Sequence, residues 1–300
     1  MGLAGLTIAT QRVESLFGIA SVASTALLWL SVAVFAVITA TYLRKLVVHR
    51  EACIREFNDP VRISFFPAFS IAFLLLAIAF LQVHEPTSLA LWVVGTVLHL
   101  VMTLVVLTIW VQQQRFQIQH MSPVWFLPVV GNILVPIAGV PHGQMDVSWF
   151  FFSVGLVFWT ILQVIFFYRI FFHHPLPQKL LPTFFILLAP PAVGFIAYVR
   201  LNGALDNVAL VLYHFALFLF LFLLAQVGML RRVRFFLSWW AYSFPVAALA
   251  IASLLMYHES GGEFFRVVAL VVYALLVALI ATLAVLTVRS IARREICVED

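Results

Sequence analysis

Charged residues are scarce in this chain: Asp, Glu, Lys and Arg together make up 10% of its 300 residues. A soluble domain carries about 25% of these residues, so a water-exposed surface of the usual kind is excluded. Hydrophobic residues make up 64% of the chain, and phenylalanine alone accounts for 30 positions. The composition therefore predicts an integral membrane protein that uses the lipid bilayer as its solvent.

Cysteines and catalytic motifs are nearly missing as well. Cys53 and Cys297 fall in polar segments that we place in the cytoplasm, where a disulfide is not expected. The sequence contains no glycine-rich phosphate loop, no Ser/His/Asp set and no HExxH pattern. We therefore predict no enzymatic activity and no cofactor. The chain has a net charge of +5, but its basic residues lie in short loops between apolar runs. This charge therefore does not indicate a nucleic-acid partner.

Apolar runs of about 20 residues or more predict membrane-spanning helices. Nine such spans are predicted, at about 22–46, 62–83, 87–111, 123–140, 147–172, 180–200, 204–229, 236–257 and 265–288. A tenth run at residues 1–10 is about half the length of a span. We expect either a start further upstream or a truncated product, and ten spans in the intact protein.

Basic residues are divided unequally between alternating connections. One set of connections carries 14 of the 17 lysines and arginines, and the other set carries Arg12, Arg200 and Arg266. The positive-inside rule places the first set in the cytoplasm. The sequence therefore predicts a multi-pass membrane protein with a cytoplasmic C-terminus.

Prolines recur at a nearly constant interval inside alternate spans. Pro67, Pro128, Pro190 (followed by Pro191) and Pro245 are separated by 61, 62 and 55 residues. A fixed period of this size is typical of repeated structural units. We predict an all-α integral membrane fold in which one channel domain, residues 1–300, is a ring of helical hairpins around a central pore. The hairpins are predicted at about 1–46, 62–111, 123–172, 180–229 and 236–288.

The predicted membrane core is electrically neutral apart from histidine. All 12 acidic and all 17 basic residues fall in loops or at span ends. Coupled transport usually needs an intramembrane carboxylate or lysine, so the pattern favours passive conduction. His99 and His214 lie in mid-span, either as a pair of axial haem or metal ligands or as neutral imidazoles hydrogen-bonded between helices. The absence of any metal-ligand spacing favours the second interpretation.

Small, polar and aromatic residues gather on the proline-containing spans. Small residues permit close helix contact, but the periodic prolines favour a pore lining for the set as a whole. The candidate kink and lining residues are Phe66, Pro67, Phe126, Pro128, Asn132, Pro190, Pro191, Gly194, Ser243 and Pro245. Phe244, which directly precedes Pro245, is a candidate gate, although spacing alone leaves packing as its alternative role.

Four stretches resemble the slow-type anion channel and tellurite-resistance TehA family, in the order in which that family has them. They are 59–67 (DPVRISFFP), 125–132 (WFLPVVGN), 188–194 (LAPPAVG) and 238–249 (SWWAYSFPVAAL), and the resemblance covers essentially the whole chain. It implies ten spans in a quasi-fivefold array, of which the first is truncated here, and a central pore lined by the odd-numbered spans. It also implies a homotrimer, passage of small anions, and a pore plugged by Phe244.

The family resemblance leaves the transported substrate open, because its members include anion channels, malate permeases and sulfite exporters. The first hypothesis is a passive channel for small inorganic or organic anions. The alternative is a secondary transporter that exports sulfite, tellurite-related or C4-dicarboxylate anions. A third candidate, weaker than both, is a haem-bearing membrane protein that uses His99 and His214.

Overall fold

The structure, a computed structural model, describes residues 1–230 and 234–293. Within these ranges the chain forms only α-helices, 3₁₀-helices and their connections, which confirms the predicted all-helical membrane fold. The α-helices are α1 (Gly2–Phe17), α2 (Val22–Val48), α3 (Arg50–Asn58), α4 (Ala68–Phe80), α5 (Glu85–Gln112), α6 (Phe126–Val130), α7 (Val135–Gly139), α8 (Met145–Phe172), α9 (Ala189–Asn202), α10 (Asn207–Ala225), α11 (Val227–Leu230), α12 (Ser243–Ser260) and α13 (Glu263–Ala292).

Five long helices form the outside of the molecule: α2, α5, α8, α10 and α13. Each is apolar and long enough to cross a bilayer, and only 17% to 39% of its most apolar 18-residue window is buried within the protein. A helix that is apolar on all sides and yet largely exposed is stable only if lipid surrounds it. These five are therefore the outer helices.

The other five long segments form the inside of the molecule, and we call them the inner segments. They are α1 and the stretches at residues 62–80, 123–139, 178–202 and 237–260. The three that are full-length spans, at 62–80, 178–202 and 237–260, are 61%, 89% and 78% buried in their most apolar window. Inner segments and outer helices alternate along the chain, so each outer helix follows an inner segment.

The periodic prolines mark the positions where inner segments change helix type. Four inner segments begin as 3₁₀-helix, at Arg62–Phe65, Pro123–Trp125, Gln178–Leu188 and Leu237–Tyr242. Pro67 is the N-cap residue of α4, Pro190 is the second residue of α9, and Pro245 is the third residue of α12. Proline has no N–H to donate, and the first turn of an α-helix needs none. Each of these prolines therefore starts the α-helical part of its segment.

Eight of the predicted spans are helices long and apolar enough to cross a membrane within the described ranges. The ninth, predicted at about 123–140, is the shorter apolar stretch Pro123–Gly139. It is divided among two 3₁₀ turns and the five-residue helices α6 and α7. Pro123 is the first residue of this stretch. Pro128 and Pro136 lie inside it and have no N–H to donate, so they interrupt regular α-helical hydrogen bonding.

The two ends of the inner segments differ in backbone conformation. We call the end where the 3₁₀ stretches begin the 3₁₀ face. On the opposite end, four connections to outer helices pass through a glycine with positive φ: Gly18 (64°), Gly143 (74°), Gly203 (72°) and Gly261 (65°). Only glycine adopts this conformation without steric cost, and it is the usual way to end a helix. We call this end the glycine face.

Candidate pore and gate

A small apolar cavity lies where all five inner segments meet. Its volume is about 30 Å³, which leaves room for about one or two water molecules and not for a continuous column of water. We call it the axial cavity. Its lining residues are Ile8 from α1, Leu75 and Ile78 from α4, Leu134 and Ile137 from the third inner segment, Val193 and Ile196 from α9, and Phe244, Ala248 and Ile251 from α12.

The lining of the axial cavity repeats along the sequence. In four inner segments it contains two apolar residues three positions apart, and residues at this spacing share one face of a helix. The first members of these pairs, Leu75, Leu134, Val193 and Ala248, are separated by 59, 59 and 55 residues. Sequence reasoning missed these residues because it looked for small and polar side chains. The available signal was a recurring apolar pair at nearly the same period as the prolines.

Phe244 is the aromatic residue of this lining. It is the second residue of α12, its side chain is half-buried, and its ring borders the axial cavity. Gly5 of α1 faces it: a Cβ atom on Gly5 would lie 3.6 Å from Phe244 Cδ2 and only 2.7 Å from Ala247 Cβ. The missing side chain at Gly5 therefore allows α1 to pass close beside α12 at the level of the Phe244 ring.

The other predicted lining residues take different positions. All of them are described by the structure, and of the predicted set Phe244 alone lines the axial cavity. The ring of Phe66 packs edge-on against Phe57 and Tyr42, at centroid distances of 5.1 and 6.3 Å. Gly194 faces Leu212 of α10 across an ordinary contact distance. The remaining predicted residues are all buried within the bundle: Pro67, Phe126, Pro128, Asn132, Pro190, Pro191, Ser243 and Pro245.

His99 of α5 is fully buried and bonded to an inner segment. Ser70 Oγ donates to the Pro67 carbonyl at 2.8 Å, so its single proton is used. The same Oγ lies 2.8 Å from His99 Nδ1 and must accept there, which puts the proton of a neutral His99 on Nδ1. Nε2 is then an acceptor, and it has no hydrogen-bond partner among the described residues.

Asn132 also hydrogen-bonds to α5, and it does not line the axial cavity. Its Nδ2 donates to Thr103 Oγ1 at 3.1 Å, and Thr103 Oγ1 in turn lies 2.6 Å from the Pro128 carbonyl that accepts its proton. Proline residues leave carbonyl groups of their own helix without an N–H donor. The polar residues of this region therefore join the proline-containing third inner segment to its neighbouring outer helix.

The two mid-span histidines do not form a ligand pair. His214 lies on the exposed side of α10, where its Nδ1 donates to the Leu210 carbonyl at 2.8 Å. The Nε2 of the buried His99 faces Gly131 so closely that a Cβ atom there would lie 2.7 Å away. The two axial ligands of one haem must face each other across it. Because the His99 ring is buried in the bundle and the His214 ring is exposed, the two histidines are not placed as such a pair.

Gly131→Ala is expected to destabilise the protein by about 1–3 kcal/mol, the usual cost of overpacking. The added methyl group would lie 2.6 Å from His99 Cε1, so the imidazole must move and lose its bond to Ser70. Thermal unfolding of the purified protein in detergent measures this loss of stability. Gly228→Ala is the matched control, because no atom of the described residues lies within 4 Å of a Cβ atom placed at Gly228, so the stability of the variant should not fall. Equal unfolding temperatures for the two variants would contradict the packing described here.

Five inner segments that meet at an apolar cavity, together with five exposed apolar outer helices, define a multi-pass helical membrane protein. The chain belongs to the SLAC1 family, whose family model, described as voltage-dependent anion channel, matches residues 1–288. This match confirms the resemblance seen in the sequence motifs, and the family it identifies is one of anion channels and transporters.

Individual relatives come from plants, bacteria and archaea. The S-type anion channel SLAH2 of Arabidopsis thaliana is 30% identical over 298 residues, which cover 98% of this chain and 57% of the plant protein. The tellurite resistance protein TehA homolog of Haemophilus influenzae is 26% identical over 298 residues, covering 98% and 89%. The uncharacterized transporter MJ0762 of Methanocaldococcus jannaschii is 27% identical over 274 residues, covering 83% and 80%. The chain thus spans little more than half the length of the plant relative.

Proposed function

We propose that the protein is a passive channel for small anions, with a conduction path along the axis of the five inner segments. The observation that carries the proposal is the axial cavity, to which every inner segment contributes a side chain. A path to which all five inner segments contribute is the simplest way to build one continuous pore in a single chain. The relatives that are named as anion channels support anions as the permeating ions.

The gate in this proposal is Phe244. Its ring borders a cavity lined otherwise by aliphatic side chains, and that cavity is too small for a column of water. A narrow apolar constriction excludes ions by steric blockage and by dewetting, without any charge. A change in the side-chain torsions of Phe244 would widen the path at this level and admit water together with an anion.

Selectivity in this proposal comes from dehydration and from charge at the pore entrance. No charged residue lines the axial cavity, so no group there can hold an anion tightly. On the 3₁₀ face, Arg62 and Lys179 lie in the first turns of inner segments, and Arg115 lies in the connection that leads to the third inner segment. Their positive potential would concentrate anions and repel cations at that entrance. We therefore expect weak discrimination among monovalent anions and little cation current.

The architecture and location that we propose follow the basic residues and the family. The inner segments and the outer helices would form five hairpins around one pore, and three protomers would assemble with one pore each. The 3₁₀ face and the C-terminus would lie in the cytoplasm of a bacterium whose inner membrane holds the protein, because 14 of 17 basic residues belong to that side.

Voltage-clamp recording of the purified protein in planar bilayers tests the channel against the exporter of sulfite, tellurite-related or C4-dicarboxylate anions. A channel should give unitary anion currents far above the turnover of a carrier. Anion exchange that saturates at carrier rates, with no unitary current, would favour the exporter.

The proposed orientation is tested by cysteine accessibility in intact cells. Gln113 and Gln144 are both exposed and lie on the 3₁₀ face and the glycine face respectively. In a background that carries Cys53→Ser and Cys297→Ser, an impermeant thiol reagent should label Gln144→Cys and spare Gln113→Cys. Permeabilised cells should label both variants, and the reverse pattern in intact cells would overturn the orientation.

A further inference from the structure

A basic segment follows α2 directly and lies at the level where that helix leaves the bilayer. α2 has 27 residues, which span about 40 Å of helix, against about 30 Å for the hydrocarbon core. Charged side chains are costly inside the core, so Arg44 and Lys45 identify the end of α2 that reaches the lipid headgroups. α3 begins at Arg50, two residues after α2 ends, and therefore starts in the same layer.

Contacts to α2 and to the connection before the third inner segment hold α3 in place. Glu56 Oε1 of α3 lies 2.7 Å from Lys45 Nζ of α2. At the end of α3, Arg115 Nη1 donates to the Asn58 carbonyl at 2.5 Å. Cys53, in the middle of α3, is buried. These contacts fix which side of the short helix faces the protein and which side faces outward.

The outward side of α3 carries arginines next to apolar side chains. Arg50, Ile54 and Asn58 are exposed and follow one another at intervals of four residues, so they share one face of the helix. The side chain of Arg55 beside them is 74% exposed, and Ile54 is 48% exposed. Val47, at the end of α2, is 81% exposed. Arginines beside exposed apolar side chains fit the boundary between acyl chains and headgroups.

The acidic residues of this segment lie mostly away from its outward side. Residues 44–62 contain five basic and three acidic side chains, which give a net charge of +2. The side chain of Glu56 is 24% exposed and lies within 4.0 Å of both Lys45 and Arg62. Of the three acidic residues, Glu51 alone is fully on the exposed side, and the three exposed arginines of α2 and α3 outnumber it. The outward side therefore keeps an excess of positive charge.

We propose that the end of α2 and the outward side of α3 bind the phosphate groups of anionic phospholipids, with Arg44, Arg50 and Arg55 as the phosphate ligands. An arginine guanidinium presents paired N–H donors that match phosphate oxygens. A basic cluster directly beside a membrane-spanning helix is a common form of anionic-lipid recognition. An acidic soluble protein would also match the arginines, but the lipid around α2 is the nearer source of negative charge.

This lipid-binding surface goes beyond the proposed function and does not depend on it. The surface is joined to two inner segments on the 3₁₀ face. Glu56 Oε1 lies 3.7 Å from Arg62 Nη1, and Arg62 is the first residue of the 3₁₀ stretch that precedes α4. Arg115, which donates to the end of α3, lies in the connection to the third inner segment. Lipid bound at α3 should therefore stabilise the folded bundle, whatever passes along its axis.

Lipid-dependent thermal unfolding of the full chain in a neutral detergent tests this surface without any current. Phosphatidylglycerol is titrated into the protein, and phosphatidylcholine with the same acyl chains is the uncharged comparison. A lipid that binds the folded state raises the unfolding temperature in a saturable way, and we expect this of phosphatidylglycerol far more than of phosphatidylcholine. Arg50→Gln and Arg55→Gln should each raise the half-saturating lipid fraction about fivefold, the usual contribution of one basic side chain at an anionic surface.

Arg266→Gln is the matched control for the two glutamine variants. It removes an arginine of the outer helix α13 on the glycine face, where the side chain pairs with Glu263, so the titration should not change. Equal protection by the two lipids, or unchanged titrations in both Arg50→Gln and Arg55→Gln, would overturn the proposal. Equal protection by soluble glycerol phosphate would assign the arginines to a free phosphate and would overturn it as well.

A fluorophore on α3 tests the same surface in a bilayer, even if a glutamine variant fails to fold. It is attached to Ile54→Cys in a background that carries Cys53→Ser and Cys297→Ser, in nanodiscs of phosphatidylglycerol and phosphatidylcholine. Lipid that carries a spin label near its headgroup should quench the fluorophore, and aqueous iodide should quench it weakly. Strong quenching by iodide with none by the labelled lipid would show that α3 faces the solvent, as a soluble partner would require, and would overturn the proposal.

Discussion

Phe244→Ala is expected to raise anion conductance by at least about tenfold, equivalent to lowering the barrier to permeation by about 1.4 kcal/mol. The ring borders an axial cavity of about 30 Å³, and its removal would widen the path at this level. A wider and wetter constriction no longer excludes ions by dewetting. Macroscopic and unitary currents of the purified variant in bilayers measure the change.

Phe66→Ala is the matched control for Phe244→Ala. Both phenylalanines directly precede a proline of an inner segment, but the ring of Phe66 packs against Phe57 and Tyr42, away from the axial cavity. Its removal should reduce stability and leave unitary conductance nearly unchanged. If Phe244 were only a packing residue, its loss would cost about 3–5 kcal/mol through a new cavity. Poor folding of Phe244→Ala with no gain of current would contradict the gate, as would equal opening by both variants.

Ile251→Asp in the Phe244→Ala background is expected to reduce anion current at least about a hundredfold. Ile251 lines the axial cavity, so an ionised carboxylate there would meet every permeating anion. At about 4 Å and an effective dielectric constant near 20, the repulsion between two unit charges is about 4 kcal/mol. Rates change about tenfold for each 1.4 kcal/mol, so the block should be nearly complete at neutral pH.

Ile251→Asn in the same background separates charge from polarity. Asparagine has the size of aspartate and lacks its charge, so current should stay within about threefold of the Phe244→Ala level. Thermal unfolding of both variants checks that the loss of current is not a loss of fold. Equal currents through the aspartate and asparagine variants would place the anion path away from the axial cavity.

The alternation of proline-containing and proline-free spans was predictable because prolines are easy to identify within apolar runs of the sequence. Pro67, Pro128, Pro190 and Pro245 recur at a nearly constant interval. Of these, Pro67, Pro190 and Pro245 lie where an inner segment begins its α-helix. The change from 3₁₀-helix to α-helix was not predicted. Both helix types tolerate the same apolar residues, and the choice between them depends on which carbonyl groups find donors in the folded bundle.

The direction in which inner side chains point was less predictable. Asn132 was an attractive pore-lining candidate, yet it bonds to Thr103 on α5, and Ser70 of α4 likewise bonds to His99 of α5. A buried polar group is costly unless it is hydrogen-bonded. The neighbouring helix α5 supplies a hydrogen-bond partner, whereas the apolar lining of the axial cavity does not. The axial cavity is left to branched aliphatic side chains such as Ile137 and Ile196, which composition alone does not distinguish from other core residues.

The reversal potential in a salt gradient is the most direct test of an anion-selective path through this protein. Purified protein in planar bilayers, as the parent chain and as Phe244→Ala, is recorded with a tenfold gradient of sodium chloride. We expect a reversal potential close to the chloride equilibrium potential, about 59 mV for a tenfold ratio of a monovalent ion, with a larger current for the variant. A reversal potential that follows sodium, or that lies near zero in both proteins, would contradict this expectation.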